Sequence, residues 1–283
     1  MRFIRLLPYS EKSPKNIFDK IASNKQNPCK KILFDEKSPD CIKARIIERY
    51  SQYKKNRKKL ENLTPFPYTA QQKACLIGCY GIDTDSKKEL IALIKKKLDT
   101  HSKAICSYCG IGIPTTIDHY LPQSLFPEFS VLNYNLIPCC SDCNNIKGSN
   151  WIDPTTNSRL FVNFYYDEIP NEVFLHAKIL QQNRAFLVEF FYRKPNNNKI
   201  YNTISTHLAM LDITNRLEGI ANSYIDIIYD QNQTALYLGT SVEQLKNNIR
   251  LNTRIIEKKH GKNFWQAVLN RAILKSDFFF TIQ

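Results

Sequence analysis

The sequence predicts an α+β protein with three parts: a basic, helical region over residues 1–100, a cysteine-rich region over 101–152, and a mixed region of strands and helices over 153–283. Three observations predict this organisation. Apolar residues recur at helical spacing before residue 100, and turns and cysteine pairs replace that spacing between 106 and 148. Alternating apolar residues, which are typical of strands, follow Trp151 before helical spacing returns.

The N-terminal region is predicted to contain three helices, from Ser38 to about Leu63, from about Thr69 to Tyr80 and from Asp85 to Leu98. The first has an apolar side and an opposite side of eight cations. Such a cationic side is either a solvated face or a surface that follows nucleic-acid phosphates, and the sequence leaves both interpretations open. The apolar residues are Ile42, Ile46, Ile47, Tyr50 and Tyr53; the cations are Lys43, Arg45, Arg49, Lys54, Lys55, Arg57, Lys58 and Lys59.

The C-terminal region is predicted to begin with strands, two of which form a hairpin, and to end with three helices. The predicted strands are Leu160 to Tyr166, Val173 to Leu180 and Ala185 to Arg193; the predicted helices are Ile204 to Tyr229, Ser241 to Lys259 and Asn263 to Lys275.

The composition indicates a globular protein with a polyanionic partner. The 283 residues carry a formal net charge of +14, which favours nucleic-acid binding, although the codon bias of an AT-rich genome also inflates lysine. No segment approaches the roughly 18 consecutive apolar residues of a membrane helix, and the N-terminus lacks a signal-peptide core. We therefore expect a cytoplasmic protein without a membrane partner.

Two Cys-x-x-Cys pairs predict a structural metal site. Cys106 and Cys109 form the first pair, and Cys140 and Cys143 form the second, about thirty residues later. This spacing allows the thiolates to surround one Zn²⁺ tetrahedrally, and four thiolates leave no open position for catalysis. Cys139 is a competing ligand that the two-residue spacing disfavours.

The other cysteines and histidines give weaker signals. The nine cysteines are an odd number, which argues against the disulfide framework of a secreted protein. Cys75 and Cys79 lie in an apolar helical stretch and are predicted to be buried thiols. Four histidines have no motif around them and are predicted to be structural: His101, His176, His207 and His260.

Several polar residues lie between and just after the cysteine pairs. Asp118 and His119 are followed by a proline, Asn135 is followed by leucine, and Asn144 and Lys147 follow the last cysteine. The order Cys-x-x-Cys, Asp-His-x-x-Pro, Asn-Leu, Cys-x-x-Cys-Asn-x-x-Lys resembles the zinc-bearing branch of the HNH endonucleases. The resemblance covers about residues 106–150, under a fifth of the chain.

The resemblance implies that residues 101–152 form a ββα-metal nuclease core that hydrolyses phosphodiester bonds in DNA. It implies that His119 is the general base, which suits a side chain that is largely neutral at physiological pH. Asp118 and Asn144 are then the protein ligands of a catalytic Mg²⁺, for which Mn²⁺ can substitute. Asn135 is expected to brace the loop and orient the histidine, and Lys147 to contact phosphate.

The residue at position 144 departs from many HNH proteins, which have histidine there. Asparagine favours Mg²⁺ over a catalytic zinc or nickel ion, and the arrangement resembles the HNH lobe of the CRISPR effector nucleases. Asn145 is an alternative ligand, ranked lower because of its spacing.

Alternative functions remain open from the sequence. The chain is either a DNA endonuclease, an HNH-type RNase, or a zinc-dependent nucleic-acid-binding module without cleavage. The long segments on both sides of the motif resemble the nuclease subunits of Septu-type anti-phage systems, which implies an ATPase partner. A solitary restriction-like or mobile-element nuclease is the competing interpretation.

Overall fold

The computed structural model describes residues 6–8, 12–81, 84–98, 103–182 and 185–281. Helices and small two-stranded sheets alternate in it, which confirms the predicted α+β class. Contacts divide the described chain into two compact units. The N-terminal unit contains residues 6–106 and 112–167, and the C-terminal unit contains 107–111 and 168–281.

Helices dominate the first part of the N-terminal unit. Ser13 and Thr84 begin two of them, because each side chain accepts a hydrogen bond from the backbone N–H three residues later. The helices are α1 (Pro14–Ser23), α2 (Cys29–Leu33), α3 (Lys43–Asn56), α4 (Ala70–Gly81) and α5 (Asp85–Lys96). The sequence predicted the last three and missed α1 and α2.

A disulfide joins α2 to α4 through Cys29 and Cys75, whose Cα atoms lie 5.3 Å apart. The prediction that Cys75 is a free thiol is therefore wrong, whereas Cys79 is a buried thiol as predicted. The cysteines lie 46 residues apart in sequence, and only the fold brings them together.

The apolar side of α3 is buried as predicted, with Ile46, Tyr50 and Tyr53 in the core. Two of the predicted surface cations are also buried. Lys43 forms ion pairs with carboxylates of preceding segments, and the Nε of Arg49 donates to Glu128 at 2.7 Å. Buried cations need such partners, so these two stabilise the interior and are not available to a nucleic acid. The exposed cations are Arg45, Lys54, Lys55, Arg57, Lys58 and Lys59.

The end of α3 is earlier than predicted. The α-helix stops at Asn56, and a separate 3₁₀ turn spans Leu60–Asn62. Residues 57–59 are three exposed cations, whereas Leu60 and Leu63 after them are buried. The chain leaves the helix between these two groups, because the leucines pack into the core.

A short antiparallel pair of strands followed by a helix forms the centre of the unit. Strand β1 (Thr116–His119) pairs with β2 (Leu136–Cys139), with Thr116 opposite Cys139 and His119 opposite Leu136. Helix α6 (Ser141–Lys147) follows β2 directly and packs against β1. A second hairpin follows, β3 (Ile152–Asp153) and β4 (Ser158–Arg159).

Residues 153–167 belong to the N-terminal unit, which moves the predicted boundary from residue 152 to Asp167. The Tyr120 hydroxyl donates to the carbonyl of Phe161 at 2.7 Å, and the Tyr165 hydroxyl donates to that of Leu136 at 2.7 Å. These buried hydrogen bonds tie the segment to β1 and β2. The same unit contains the described residues of the predicted N-terminal region and most of those of the central region.

The predicted strand from Leu160 to Tyr166 is wrong. Asn163 organises this segment as a turn, since its side chain accepts from the backbone N–H of Tyr165 and its carbonyl accepts from that of Asp167. Residues 161–166 are all buried, so their apolar character reflects burial of a loop and not the alternating faces of a strand.

The described residues of the C-terminal unit form the predicted hairpin and four α-helices. Strands β5 (Leu175–Gln182) and β6 (Ala185–Tyr192) pair antiparallel, which confirms the hairpin. The single helix predicted from Ile204 to Tyr229 is two helices, because Asp212 adopts a φ of 50° between them. The helices are α7 (Ile200–Met210), α8 (Ile213–Tyr237), α9 (Val242–His260) and α10 (Trp265–Ile273).

Helices of this unit cover the hairpin, with α8 against β6 and α10 against β5. Among the described helices, none combines the length and the apolar character needed to cross a membrane.

Candidate metal and catalytic site

Four cysteines form a buried cluster that could hold a zinc ion. The sulfur atoms of Cys106, Cys109, Cys140 and Cys143 all lie within 4.8 Å of one another. Zn–S bonds of about 2.3 Å place the sulfurs of a tetrahedral site about 3.8 Å apart, so the cluster has the size and chemistry of a four-thiolate zinc site. The structure thus brings together the four ligands that the sequence predicted.

The loops around these cysteines are shaped by two glycines. Gly110 adopts a φ of 69°, a left-handed conformation that favours glycine. A Cβ at Gly112 would lie 2.7 Å from the Cβ of Cys140 and 3.0 Å from its sulfur. The close approach at residue 112 therefore requires the absence of a side chain.

Backbone N–H groups point at the sulfurs. The N–H of Cys140 donates to the sulfur of Cys106 at 3.3 Å, and that of Cys143 donates to the sulfur of Cys140 at 3.5 Å. Such donors stabilise thiolate charge, which metal binding requires.

Cys139 is not in the cluster. It is buried on β2, where its sulfur lies 3.5 Å from the hydroxyl of Thr116. Burial raises the pKa of its thiol to about 12, which disfavours the thiolate. Cys140, which the two-residue spacing predicted as the ligand, lies in the cluster.

Asp118 and His119 are adjacent on β1, so their side chains point to opposite faces. The Asp118 carboxylate is buried and accepts a hydrogen bond from the Nζ of Lys147 at 2.9 Å. The same ammonium donates to the carbonyl of His119 at 3.0 Å. Lys147 is fully buried in these contacts, and its expected contact with phosphate stays a prediction.

The His119 ring is held by two neighbours. Its Nε2 lies 2.9 Å from the carbonyl oxygen of Ser130, and Tyr80 of α4 packs edge-to-face against it with ring centroids 4.5 Å apart. A carbonyl can only accept, so Nε2 carries the proton and, in the neutral ring, Nδ1 carries the lone pair. Burial lowers the pKa of His119 to about 4, which keeps the ring neutral near pH 7.

Asn135 fixes the loop that follows His119. Its Oδ1 accepts from the backbone N–H of Leu121 at 2.8 Å, and its Nδ2 donates to the carbonyl of Leu121 at 3.0 Å. Its own carbonyl accepts from the N–H of Tyr120 at 2.9 Å. The hydroxyl of Tyr53 on α3 donates to the neighbouring carbonyl of Tyr134 at 2.9 Å. A residue that braces a loop makes contacts of this kind. A role for Asn135 in a reaction stays a prediction.

Asn144 and Asn145 differ in their position on α6. Asn144 is half-buried and precedes Lys147 by three residues, so the two share a face of the helix. Since Lys147 reaches Asp118, this face is turned towards β1. Asn145 is exposed. Asn144 therefore lies on the face of α6 that is turned towards β1, and its role as a metal ligand stays a prediction.

Sequence reasoning missed the residues that surround the motif in space. Tyr80 and Ser130 contact His119, and the Nζ of Lys87 lies over the Tyr80 ring, 4.6 Å from its centroid. Nothing in the spacing of the motif points to α4 or α5.

The described histidines outside the motif have structural contacts. His207 is fully buried and its Nε2 donates to the carbonyl of Tyr108 at 2.9 Å, while burial lowers its pKa to about 4. His176 stacks on Phe191, and His260 stacks on Phe264. His101 lies outside the described residues.

Comparison with known proteins finds a distant similarity to a phage protein. No protein-family model matches the chain, and no solved structure matches it. The chain is 27% identical over 190 residues to a protein of Escherichia phage lambda named protein ea31. The matched segment covers 62% of this chain and 63% of the phage protein.

Proposed function

We propose that this protein is a metal-dependent HNH-type endonuclease that hydrolyses phosphodiester bonds in DNA. One observation carries the proposal: Lys147 contacts both Asp118 and His119, from a helix that is capped by Cys140 of the cysteine cluster. Asn135 holds the loop that follows His119. This is the order and composition of residues that resembles the HNH motif. The arrangement β1, β2 and α6 is compatible with the ββα unit that the resemblance implies.

His119 is the proposed general base. Its Nε2–H is donated to Ser130, so Nδ1 is the atom that can take a proton from water. The contacts with Ser130 and Tyr80 fix the ring plane, and Asn135 fixes the loop that follows it. Because the orientation of the His119 ring is already fixed, the ring loses less conformational entropy when it reaches the reactive geometry.

Asp118 and Asn144 are the proposed protein ligands of a catalytic Mg²⁺. Carboxylate and amide oxygens are the hard donors that Mg²⁺ or Mn²⁺ takes, and Asn144 lies on the face of α6 that reaches Asp118. When bound, such an ion supplies charge stabilisation to the phosphate and the leaving oxygen. The ammonium of Lys147 holds one Asp118 oxygen and thereby fixes the orientation of the carboxylate.

Zn²⁺ in the four-cysteine cluster is proposed to be structural. Cys140 caps the N-terminus of α6 by accepting from Cys143, so an ion held there fixes the helix that carries Asn144 and Lys147. Four thiolates leave such an ion no position for water, which separates its role from that of the catalytic ion.

The net charge of +14 supports a nucleic-acid substrate. Six exposed cations of α3 and the segment after it supply positive surface in the same unit as the proposed site. These features suit the phosphate backbone of either nucleic acid, and the resemblance favours DNA.

A cleavage assay tests this proposal. Zinc-loaded protein is incubated with supercoiled plasmid in the presence or absence of Mg²⁺, without chelator so that the zinc cluster stays intact. We expect nicked and linear products only with Mg²⁺ or Mn²⁺, and a loss of roughly a hundredfold or more in rate for His119→Ala. His176→Ala, a histidine outside the motif, is the matched control and should cut normally.

The outcomes separate the alternatives. Binding to plasmid without cleavage under any divalent ion contradicts the nuclease and identifies a zinc-dependent binding module. Cleavage of an RNA of matched sequence with the plasmid left intact identifies an RNase. Equal cleavage by wild type and His119→Ala removes His119 from the proposed chemistry.

The biological context is a separate proposal. A nuclease subunit of an anti-phage system would cut more rapidly once its ATPase partner is added. A solitary mobile-element nuclease would cut equally well alone, and the similarity to a phage protein is compatible with that alternative. Co-purification with the products of neighbouring genes, followed by the plasmid assay, distinguishes the two.

A further inference from the structure

A tyrosine and a lysine outside the motif extend the surroundings of His119. Tyr80, near the end of α4, packs against the His119 ring with an interplanar angle of 84°. Lys87, in the first turn of α5, places its Nζ 4.6 Å from the centroid of the same tyrosine ring. The centroids of the Tyr80 and His119 rings lie 4.5 Å apart, so the Lys87 ammonium and the His119 ring both contact the same tyrosine ring. All three residues belong to the N-terminal unit.

The cation that the motif offers is already engaged. Lys147 is fully buried, and its Nζ donates to the carboxylate of Asp118 and to the carbonyl of His119. A contact with a phosphate oxygen would require this ammonium to give up two buried hydrogen bonds. Another cation near His119 is therefore better suited to an anionic substrate.

Lys87 has the exposure and the charge that such a contact needs. Its side chain is partly exposed, and within the described part of the chain no carboxylate lies within ion-pair distance of its ammonium. The nearby Glu89 is instead paired with Lys12 and Lys20.

We propose that Lys87, held over the Tyr80 ring, contacts the phosphate backbone of the nucleic acid next to the bond that is cut. Lys87 is thus a substrate-binding residue from outside the motif, with a nucleic-acid phosphodiester as its ligand. The ring of Tyr80 limits the positions of the lysine side chain, because an ammonium is attracted to the face of an aromatic ring. The inference rests on the proposed nuclease function.

Two substitutions test the role of the charge. Lys87→Met keeps most of the aliphatic chain and removes the ammonium, whereas Lys87→Arg keeps a cation. Lys96→Met is the matched control, because Lys96 is exposed in the last turn of the same helix. Each variant is assayed for cleavage of a short DNA duplex across a series of salt concentrations, and its thermal unfolding is measured to confirm that it folds.

We expect Lys87→Met to lower kcat/KM about tenfold, mainly through a higher KM, as loss of one phosphate contact predicts. The slope of log kcat/KM against log salt concentration should become shallower by about 1, because one fewer counterion is released on binding. Lys87→Arg should restore most of both quantities, and Lys96→Met should leave them within about twofold of wild type.

The failure of this inference is distinguishable from that of the proposed function. If wild type cuts and Lys87→Met retains its KM and salt slope, Lys87 does not bind the phosphate, whereas the nuclease function stands. If folded, zinc-loaded wild type does not cut with any divalent ion, the nuclease function is wrong and the role of Lys87 in it is wrong as well. A shifted KM with an unchanged salt slope would also overturn the proposal, since a merely structural role would produce it.

Discussion

Lys147 at the end of α6 and Asp118 on β1 form an ion pair at 2.9 Å with 0% and 3% of their side chains exposed. The pair joins the helix that carries Cys143 to the strand that carries His119. Each residue compensates the buried charge of the other, so removing one of them leaves an unpaired charge in the interior.

Lys147→Ala should therefore destabilise the protein by about 3–5 kcal/mol, whereas a double replacement, Lys147→Met with Asp118→Leu, should cost much less. Urea unfolding of the zinc-loaded proteins measures both. The matched control is the exposed pair of Lys178 and Glu189, 2.7 Å apart, where Lys178→Ala should cost less than about 1 kcal/mol. Equal losses at the two sites would mean that the buried pair contributes no more than a surface pair.

The cysteine cluster predicts which thiols hold zinc. Cys140→Ala should lose the ion and unfold at lower temperature, since binding of a structural ion contributes directly to folding. Cys139→Ser should keep one zinc per chain, because its sulfur is not in the cluster. Elemental analysis of the purified variants measures the zinc content. Retention of zinc by Cys140→Ala and its loss from Cys139→Ser would reverse the assignment.

The face of α6 predicts which asparagine serves the proposed Mg²⁺ site. Asn144→Ala should abolish Mg²⁺-dependent cleavage or raise the required Mg²⁺ concentration at least about tenfold, as loss of one ligand predicts. Asn145→Ala, the exposed neighbour, should leave both quantities unchanged. Titration of cleavage against Mg²⁺ provides the measurement. The opposite result would place Asn145, and not Asn144, beside the metal.

The buried His207 predicts loss of stability in mild acid. Its folded pKa is about 4, below the value of about 6.5 for an exposed histidine, so the unfolded chain binds more protons between these values. This contribution to stability is complete near pH 7 and is lost as the pH falls from 6.5 towards 4, by at most about 3 kcal/mol.

Urea unfolding at pH 7.0 and 5.0 measures this effect against His207→Gln, which cannot titrate. The substitution should lower stability at pH 7 and reduce the loss between the two pH values, although other groups contribute equally to both proteins. An identical pH dependence in wild type and variant would show that protonation of His207 is not linked to unfolding.

Local patterns in the sequence were sufficient for much of the fold. Helical spacing located α3, α4 and α5, because their apolar faces recur in register with the helix period. Alternation and a short connection identified the hairpin of β5 and β6. Cysteine spacing identified the four clustered thiols, because a gap of two residues is enough to bring both sulfurs of a pair to one metal ion.

The failures share a cause. The segment from Leu160 to Tyr166 has the apolar content of a strand, yet hydrogen bonds to Tyr120 and Leu136 bury it as a loop. Arg49 has the sequence context of a surface cation but pairs with Glu128, 79 residues away. In both cases a distant partner decided the environment, and no local pattern contains that partner.

The sequence by itself determined the α+β class, the two cysteine pairs and the chemical identity of the proposed site residues. The tertiary structure decided which partners those residues have: Lys147 is internal because Asp118 needs a buried counter-charge, and the Nε2 of His119 donates to the carbonyl of Ser130. It also decided that Tyr80 packs against the His119 ring and that the Lys87 ammonium lies over the same tyrosine. Residue types and short spacings are written along the chain, but burial and partners separated by many residues exist only once the chain has folded.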